Sequence, residues 1–405
     1  MKIAILGYGI EGKSACKFLK KKYPCAYFEI RDIKRQNEKY LNGLEKFNMI
    51  VRSPGIPYLT PKIQRAKKKG VEITSATKLF WTGTWTSDVQ VIGITGTKGK
   101  GTVASMLYSI LKAAKKNVFL VGNIGNSALD ILPKLKNNSV VIFELSSFQL
   151  QDLERSPHIA VVLEIVQDHL DYHHSMKEYT DAKANIARYQ KRGDTVFYIR
   201  ENKYSRAIAQ KSKGKKIVAK TTWGLHLQVL GEHNMRNAAV AASVSRMLGI
   251  DNATIKKALE SFRGLPYHLE FVREINGVKF YNDSASTNPI STKAAIEAIA
   301  EPKILITGGV DKGFDYGILR APIMRNGVRR ILLFGANKNK IKRQLRGIGA
   351  PILCADIKSA LKKALSLARA GDAILFSPAS ASFDMFKDSK DRGAVFLNLI
   401  KDIRK

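Results

Sequence analysis

Short apolar runs alternate with segments of helical length along most of the chain, a pattern typical of α/β proteins built on parallel strands. The runs predict strands at 2–6, 26–30, 71–74, 89–94, 117–121, 139–144, 159–165, 303–307, 330–334, 351–354 and 372–376, and a strand that runs into a turn over 49–56. One stretch differs: 271–281 carries two apolar runs around Asn276-Gly277, which predicts a β-hairpin. The hydrophobic pattern therefore predicts an α/β fold with a late antiparallel hairpin.

Two predicted strands run directly into glycine-rich turns. The first turn, Gly7-Tyr-Gly-Ile-Glu-Gly12, follows residues 2–6, and the acidic Glu29 lies about 20 positions further on. This G-x-G-x-x-G spacing with a later acidic residue indicates a Rossmann-like nucleotide site. The alternative is a tight strand-to-helix turn that binds nothing.

The second turn has the layout of a phosphate-binding loop. The strand at 89–94 leads into Gly96-x-x-Gly99-Lys100, and a helix is predicted over 102–111. In such loops backbone N–H groups and a helix N-terminus face the phosphates, and a lysine reaches the terminal ones. Gly101 stands where Ser or Thr usually binds Mg²⁺, so Thr102 is the nearest hydroxyl. The alternative is an ordinary glycine-rich turn.

Acidic and imidazole groups follow neighbouring predicted strands. Glu144 ends the strand at 139–144, and Asp168, His169 and Asp171 follow the strand at 159–165. Carboxylates at the C-terminal ends of strands beside a phosphate loop are where a Mg²⁺ ligand sits in nucleotide enzymes, so the pattern predicts a metal site.

The next predicted helix, 176–189, places Lys183 on its apolar side. Lysine is rarely buried without a role.

Composition narrows the class of protein. The chain has 405 residues, 45% of them hydrophobic, which is enough for two or three domains with a large core. No stretch approaches the apolar length of a membrane span and the N-terminus lacks the pattern of a signal peptide, so we expect no membrane partner. Three cysteines without metal spacing suit a reducing cytosol, and the expected location is the cytoplasm.

The net charge of +34 has two interpretations. A basic chain of this size can bind nucleic acid, or its lysines can cover a solvated surface that attracts anionic small molecules. The basic residues form many short runs and no nucleic-acid module is recognisable. We therefore expect small-molecule substrates and no nucleic acid. A monomer is also expected.

Taken together, these motifs resemble those of the Mur ligases, the ATP-dependent amide-forming enzymes of peptidoglycan precursor synthesis. The resemblance spans nearly the whole chain. The discriminating strings are Glu144-Leu-Ser-Ser-Phe-Gln149, Tyr281-Asn-Asp-Ser284 with Thr287-Asn288, Gly308-Gly309 with Lys312, and Ser377-Pro-Ala-Ser-Ala-Ser-Phe-Asp384 with Arg392-Gly393. Folylpolyglutamate synthase shares the form of the phosphate loop but none of the C-terminal strings.

The resemblance implies three α/β domains: a Rossmann-like UDP-binding domain at 1–88, a central ATPase domain of P-loop type at 89–264, and a Rossmann-like amino-acid-binding domain at 265–405. It also implies an activity, the joining of D-glutamate to UDP-N-acetylmuramoyl-L-alanine through an acyl phosphate. The alternatives are a related ligase that uses another amino acid, such as L-glutamate, and a basic nucleic-acid-binding protein with an NTP site.

The resemblance further implies a role for each matching position. Residues expected to bind ATP are Gly96, Thr97, Lys98, Gly99, Lys100, Gly101, Thr102, Asn234, Asn237, His268 and Asp283. Residues expected to hold the UDP-linked substrate are Gly9, Ile10, Glu29, Arg31, Ser53, Pro54, Gly55, Asn123 and Gln149. Residues expected to hold the amino acid are Thr287, Lys312 and Ser382.

The implied catalytic residues are Lys100, Lys183 and His169, and the implied metal site uses Thr102, Glu144, His169 and Lys183. Lys183 matches the lysine that CO₂ carbamylates in this family, and the carbamate would serve a second Mg²⁺. The expected cofactors are thus ATP, two Mg²⁺ ions and a carbamylated Lys183.

Four positions depart from the family's pattern. Besides Gly101, His268 stands where the family has an arginine, Ala285 replaces a lysine, and Ser389 stands where an aromatic residue lines the glutamate site. The last two concern the amino-acid pocket.

Overall fold

The computed structural model describes residues 1–83, 89–219, 224–348 and 351–403. Within these residues the strands form three sheets of four, six and six strands. The predicted boundary at residue 88 lies outside the described residues, as does the side chain of Asp171. No described helix has both the length and the apolar character needed to cross a bilayer.

The first sheet is entirely parallel, with strand order β2-β1-β3-β4. Its strands are β1 (Lys2–Leu6), β2 (Tyr27–Arg31), β3 (Met49–Arg52) and β4 (Glu72–Thr74). Its helices are α1 (Ile10–Lys22), α2 (Ile33–Gln36), α3 (Pro61–Lys68) and α4 (Ala76–Gly83), with 3₁₀ turns at Asn37–Leu41 and Leu44–Lys46. Because β1 lies between β2 and β3, ligand-binding loops are expected where these three strands end.

The second sheet is also parallel, with strand order β10-β9-β8-β5-β7-β6. Its strands are β5 (Gln90–Thr95), β6 (Val118–Gly122), β7 (Val140–Glu144), β8 (Ile159–Val162), β9 (Thr195–Tyr198) and β10 (Lys215–Val218). Its helices are α5 (Lys100–Ala113), α6 (Ala128–Ile131), α7 (Ser147–Leu150), α8 (Leu170–His173), α9 (Met176–Arg188) and α10 (Lys203–Ala209), with a 3₁₀ turn at Leu132–Lys134. Two helices follow, α11 (Glu232–Met247) and α12 (Asn252–Glu260).

The third sheet has strand order β11-β12-β16-β13-β14-β15, and β11 is its one antiparallel strand among the described residues. Its strands are β11 (Glu270–Ile275), β12 (Val278–Asn282), β13 (Lys303–Gly308), β14 (Val328–Phe334), β15 (Ile352–Leu353) and β16 (Ala373–Phe376). Its helices are α13 (Pro289–Ala298), α14 (Arg320–Arg325), α15 (Lys338–Gln344), α16 (Ile357–Leu367) and α17 (Ser389–Lys401), with a 3₁₀ turn at Gly317–Leu319.

By contacts the chain divides into two compact units. Unit 1 contains Met1–Trp223 and Asn237–Leu259, and unit 2 contains Gly224–Arg236 and Glu260–Lys405. The first two sheets both belong to unit 1 and share one apolar core, in which Phe80 and Trp81 of α4 pack against Phe143 of β7. Burial of such large rings removes much apolar area from water, and this is the main force holding the two sheets together.

The predicted fold class is confirmed, and so is the hairpin, which turns at Asn276 and Gly277 in left-handed conformations. The strand predicted over 159–165 is shorter and ends at Val162. The residues after Val162 leave the sheet and bond to the phosphate loop: the N–H of Thr97 donates to Glu164 O at 2.8 Å.

Candidate active site

Most of the predicted site residues lie where the strands of the three sheets end. In the second sheet β5 lies between β7 and β8, with Ile94 beside Glu144 and Thr95 beside Val162. The phosphate loop, Glu144 and the Asp168-His169 segment therefore emerge at one edge. This is the switch point at which open α/β sheets bind ligands.

The phosphate loop is shaped by glycines that no other residue could replace without rearrangement. Gly99 is the N-cap of α5 with φ +80°, and a Cβ there would lie 2.5 Å from Asn237 Oδ1. A Cβ on Gly96 would lie 2.7 Å from Leu163 Cβ. Among the described residues no side chain caps α5, so its first N–H groups remain available to an anion.

Two lysines converge on the loop. Lys100 Nζ donates to the carbonyls of Gly96 and Thr97 at 3.2 and 2.9 Å, and Lys183 Nζ donates to Gly96 O at 2.9 Å. Burial lowers the pKa of Lys100, and the charges of Glu144 and Asp168 oppose this. Burial, and then the charge of Lys100, hold the pKa of Lys183 well below its usual range. Lys183 therefore has more neutral amine than an ordinary lysine.

Tyr179 is a residue that the sequence reasoning missed. Its ring lies 4.6 Å from Lys183 Nζ, and its hydroxyl lies 3.0 Å from Thr97 Oγ1 in the phosphate loop. Burial raises the pKa of Tyr179 to about 12. The sequence contains one signal for this role: Tyr179 lies four residues before Lys183 on α9, and residues i and i+4 share a helix face.

The predicted metal ligands are only partly gathered. Glu144 is 5% exposed at the end of β7, whereas His169 is half exposed, in a left-handed conformation before α8. His169 Nε2 lies 3.6 Å from Asp168 Oδ2. In the part of the chain that the structure describes, no three His, Cys, Asp or Glu side chains are grouped closely enough to hold a metal ion. The metal ligand set thus stays a prediction.

The first glycine-rich turn packs against the turn after β3. Ser53 Oγ donates to Gly7 O at 2.9 Å, and a Cβ on Gly12 would lie 2.0 Å from Gly7 O. Gly9 is the N-cap of α1 and Ile10 is 79% exposed. The predicted acidic residue Glu29 forms an ion pair with Arg31 at 2.5 Å, on β2.

Asp32, rather than Glu29, holds the glycine-rich turn, because Asp32 Oδ2 accepts from Tyr8 N at 2.7 Å.

The two residues predicted to face the muramoyl part have different surroundings. Asn123 is exposed after β6, whereas Gln149 is 1% exposed in α7. Gln149 Nε2 donates to Glu11 Oε1 at 2.6 Å, and its Oε1 accepts from Ser146 N at 2.9 Å. Gln149 thus links α7 to α1, and burial raises the pKa of Glu11.

In unit 2 the predicted residues again follow strand ends. Asp283, after β12, accepts from Leu269 N at 2.9 Å and from Ser377 Oγ at 2.6 Å. Burial raises the pKa of Asp283 to about 6. Asn234 donates to Leu230 O in this unit, and His268 Nδ1 lies 2.9 Å from Pro266 O. Asn237, on the same helix as Asn234, belongs to unit 1.

Two of the predicted amino-acid residues, Ser382 and Lys312, lie at the loop after β16. Val310 N donates to Ala381 O at 2.9 Å, Ser382 is 2% exposed, and Lys312 Nζ lies 5.9 Å from the centre of the exposed Phe383 ring. Thr287 is half-buried and its N–H donates to Ala285 O.

Arg392 is fully buried and holds this region together. It donates to Ser284 O, Ser380 O and Ala381 O, and burial lowers its pKa to about 10. The sequence shows Arg392 as part of a motif but carries no signal for this structural role.

These residues fit a nucleotide and its metal ion. The start of α5, which no described side chain caps, and the ammonium groups of Lys98 and Lys100 suit phosphate oxygens. The buried Glu144 carboxylate is the kind of oxygen donor that Mg²⁺ prefers.

Comparisons with known proteins agree with the motifs. The family model described as "Mur ligase middle domain" matches residues 94–225, and "Mur ligase, glutamate ligase domain" matches residues 269–380.

Two curated relatives are both named UDP-N-acetylmuramoylalanine–D-glutamate ligase. The protein from Acetivibrio thermocellus is 33% identical, with 99% of this chain and 96% of that protein covered. The protein from Bacillus cereus is 34% identical, with 87% of this chain and 83% of that protein covered.

Solved structures show the same fold at lower identity. The UDP-N-acetylmuramate–alanine ligase MurC from Thermotoga maritima has a TM-score of 0.62 at 18% identity, covering 99% of both chains. MurF from the same organism, in complex with ADP, has a TM-score of 0.63 at 17% identity, covering 98% of this chain and 94% of the other. With a relative one-third identical along almost its whole length, this chain belongs to the Mur ligase family.

Proposed function

We propose that this ATP-dependent ligase joins D-glutamate to UDP-N-acetylmuramoyl-L-alanine in peptidoglycan precursor synthesis. The observation that carries the chemistry is the convergence of Lys100 and Lys183 on Gly96 O, at the loop before the uncapped α5. The choice of D-glutamate rests on the names of the relatives.

The reaction requires activation, because a carboxylate is a poor acyl donor. The carboxylate of the UDP-linked substrate takes the γ-phosphoryl group of ATP to form an acyl phosphate, and ADP is released as the bond to the β-phosphate oxygen breaks. The amine of glutamate attacks the acyl carbon, and phosphate leaves to give the amide. The repulsion between carboxylate and γ-phosphate is offset by Lys100 and by the N–H groups of the loop, placed where charge develops.

We assign Mg²⁺ to Thr102, Glu144, His169 and Lys183, and we expect two ions. When bound, Mg²⁺ supplies charge neutralisation on the phosphate oxygens. The lowered pKa of Lys183 supports its carbamylation, since a neutral amine is the nucleophile that CO₂ requires. A carbamate would turn a buried cation into an oxygen donor, which suits a metal better than an ammonium group.

The remaining roles follow the strand ends. The end of β2 and the turns after β1 and β3 hold the UDP part, and Asn123 and Gln149 approach the muramoyl part. Adenosine is held by Asn234, Asn237 and Asp283, and glutamate by Thr287, Lys312 and Ser382. We assign binding of the UDP part to the domain at 1–88, the ATPase function to the domain at 89–264, and amino-acid binding to the domain at 265–405. We propose that the enzyme acts as a monomer in the cytoplasm, where its nucleotide-linked substrates and ATP are found.

The test is phosphate release with ATP, Mg²⁺, UDP-N-acetylmuramoyl-L-alanine and a panel of D- and L-amino acids. We expect release that depends on all components and is fastest with D-glutamate. Faster release with L-glutamate, or with an uncharged amino acid, would reject the D-glutamate assignment and keep the ligase chemistry. Absence of release with every amino acid would reject the proposed function.

A further inference from the structure

Arg52 is the last residue of β3 and is one of the largest fully buried side chains, with 1% exposure. It directly precedes the turn at 53–55 to which we assign the UDP-linked substrate. A buried guanidinium loses the solvation of its charge, so its hydrogen-bond partners must replace water. The identity of those partners indicates what Arg52 does.

On its own side Arg52 holds the turn. Nη1 donates to Ile56 O at 2.8 Å and, more weakly, to Pro54 O at 3.4 Å. The hydroxyl of Tyr172 donates to the same two carbonyls at 3.1 and 3.2 Å and accepts from Arg52 Nη1 at 3.3 Å. Two side chains therefore donate to the carbonyls of this turn: Arg52 from β3 of the first sheet, and Tyr172 from α8, a helix of the second sheet.

On the other side Arg52 reaches the second sheet. Nη2 donates to Phe148 O at 3.0 Å, one residue before Gln149, and forms an ion pair with Asp152 Oδ1 at 2.7 Å. Both side chains of the ion pair are at most 1% exposed. Tyr172 lies on α8, three residues after His169.

We infer that Arg52 is a positioning residue, which joins the 53–55 turn to α7 and α8 so that the UDP-linked substrate is held in register with the phosphate site. The inference rests on the proposed function. The ion pair with Asp152 compensates the buried charge, and the bonds to Pro54, Ile56 and Phe148 do the positioning. Removal of the arginine should thus displace the substrate carboxylate relative to the loop at 96–102.

A double substitution separates positioning from stability. Replacing a buried ion pair by apolar residues of similar volume is often neutral for stability, whereas removing one partner leaves a buried charge unpaired. Arg52→Met with Asp152→Leu removes the carbonyl contacts without leaving an unpaired charge. Asp152→Asn keeps Arg52 and its carbonyl contacts. Arg65→Met, on the exposed side of α3, is the matched arginine control.

For each variant we would measure thermal melting, KM for UDP-N-acetylmuramoyl-L-alanine and for ATP, and amide exchange at Ile56, whose N–H donates to Ser53 O. In Arg52→Met with Asp152→Leu we expect a wild-type melting temperature and KM for ATP, faster exchange at Ile56, and a KM for the UDP-linked substrate about tenfold higher or more. Arg52→Lys with wild-type Asp152 should recover part of this loss. Asp152→Asn should lower the melting temperature, because it leaves the Arg52 charge unpaired, but should keep both KM values close to wild type. Arg65→Met should remain close to wild type in every measurement.

Wild-type KM and exchange in a stably folded double variant would overturn the inference, and so would an equal rise in both KM values. Amide exchange needs no substrate. If the wild-type protein released no phosphate, the proposed function would fail. Slow amide exchange at Ile56 in the wild type and fast exchange in the double variant would still establish that Arg52 holds the turn.

Discussion

At the scale of single residues, the site is defined by charges held out of water. Lys100 and Lys183 share a carbonyl acceptor, and each has its pKa lowered by burial. The ammonium group of Lys100 loses much of its solvation in the free protein, and anionic phosphates would compensate its charge. The arrangement thus favours the bound state of a polyanion over the empty one.

Lys100→Ala should abolish turnover and leave the fold intact. The charge of Lys100 is needed most while the γ-phosphoryl group transfers, and its Nζ bonds to carbonyls of the loop rather than packing in the apolar core. Steady-state phosphate release and circular dichroism would measure the two effects, with Lys112→Ala, at the exposed end of α5, as the control. Retention of more than about a tenth of kcat, a loss below ~1.4 kcal/mol, would contradict the role.

Lys183→Ala should also lose activity, and acetate should partly restore it by supplying carboxylate oxygens in place of the carbamate. Labelled ¹³CO₂ should give a carbamate carbonyl signal in the wild type that is absent from Lys183→Ala. Lys183→Arg is the decisive comparison, since it keeps the positive charge but cannot form the same carbamate. Full activity of Lys183→Arg would mean that a point charge suffices.

Asp283 should make the stability of the protein depend on pH. Burial raises its pKa from 3.8 to about 6, so the folded state binds this proton more tightly than the unfolded state. The stabilising contribution is present below pH 3.8 and is lost as pH rises to about 6. The melting temperature of the wild type relative to Asp283→Asn should therefore fall across this range and stay constant above it. A difference that rises or stays flat would refute the shifted pKa.

At the scale of helices and strands, the sequence predicted most of what the fold requires. The hydrophobic periodicity and the lengths of the segments were sufficient to predict β5 and α5, because a buried parallel strand followed by a glycine-rich turn has a distinct sequence pattern. The contacts between elements were harder to predict. Gln149 is held by Glu11, and Arg52 by Asp152, across more than ninety residues of chain. No local pattern encodes such pairs, because each depends on how two sheets pack.

Gly99→Ala should impair the phosphate loop as an element. The added Cβ would meet Asn237 Oδ1 at 2.5 Å, and the left-handed φ of +80° strains any residue other than glycine. We expect a higher KM for ATP and a lower melting temperature. Gly193→Ala is the matched control, since among the described residues other than its chain neighbours no atom lies within 4 Å of its Cβ position, and its φ is not left-handed. Equal, small effects of both substitutions would show that the loop tolerates the rearrangement.

At the scale of the whole molecule, the proposed roles are divided between the two units. The phosphate loop and the UDP-binding turns belong to unit 1, whereas Thr287, Lys312 and Ser382 belong to unit 2. The net charge of +34 suits a molecule whose proposed substrates are all anions. The division predicts that substitutions in unit 2 can change amino-acid binding while the phosphate loop keeps its function.

The amino-acid pocket gives the sharpest form of this prediction. Glutamate brings two carboxylates and one reacting amine, and an unpaired charge in a closed site costs several kcal/mol. Among the residues assigned to this pocket Lys312 is the one cation, and Ala285 lacks the amine that a lysine would add there. Lys312→Ala should therefore raise the KM for the amino acid far more than the KM for ATP.

Ala285→Lys is the complementary gain-of-function test. Ala285 is half-buried, and its N–H donates to Tyr267 O at 2.9 Å, so its Cβ direction is fixed by the backbone. A lysine there would add a second cation to pair with the second carboxylate of glutamate. It should therefore lower the KM for glutamate without changing the KM for ATP. Ala285→Met, of similar length and without charge, controls for steric effects. If Ala285→Lys abolished glutamate use while Ala285→Met did not, the pocket would not be a glutamate site, and the ligase chemistry of unit 1 would need another amino-acid partner.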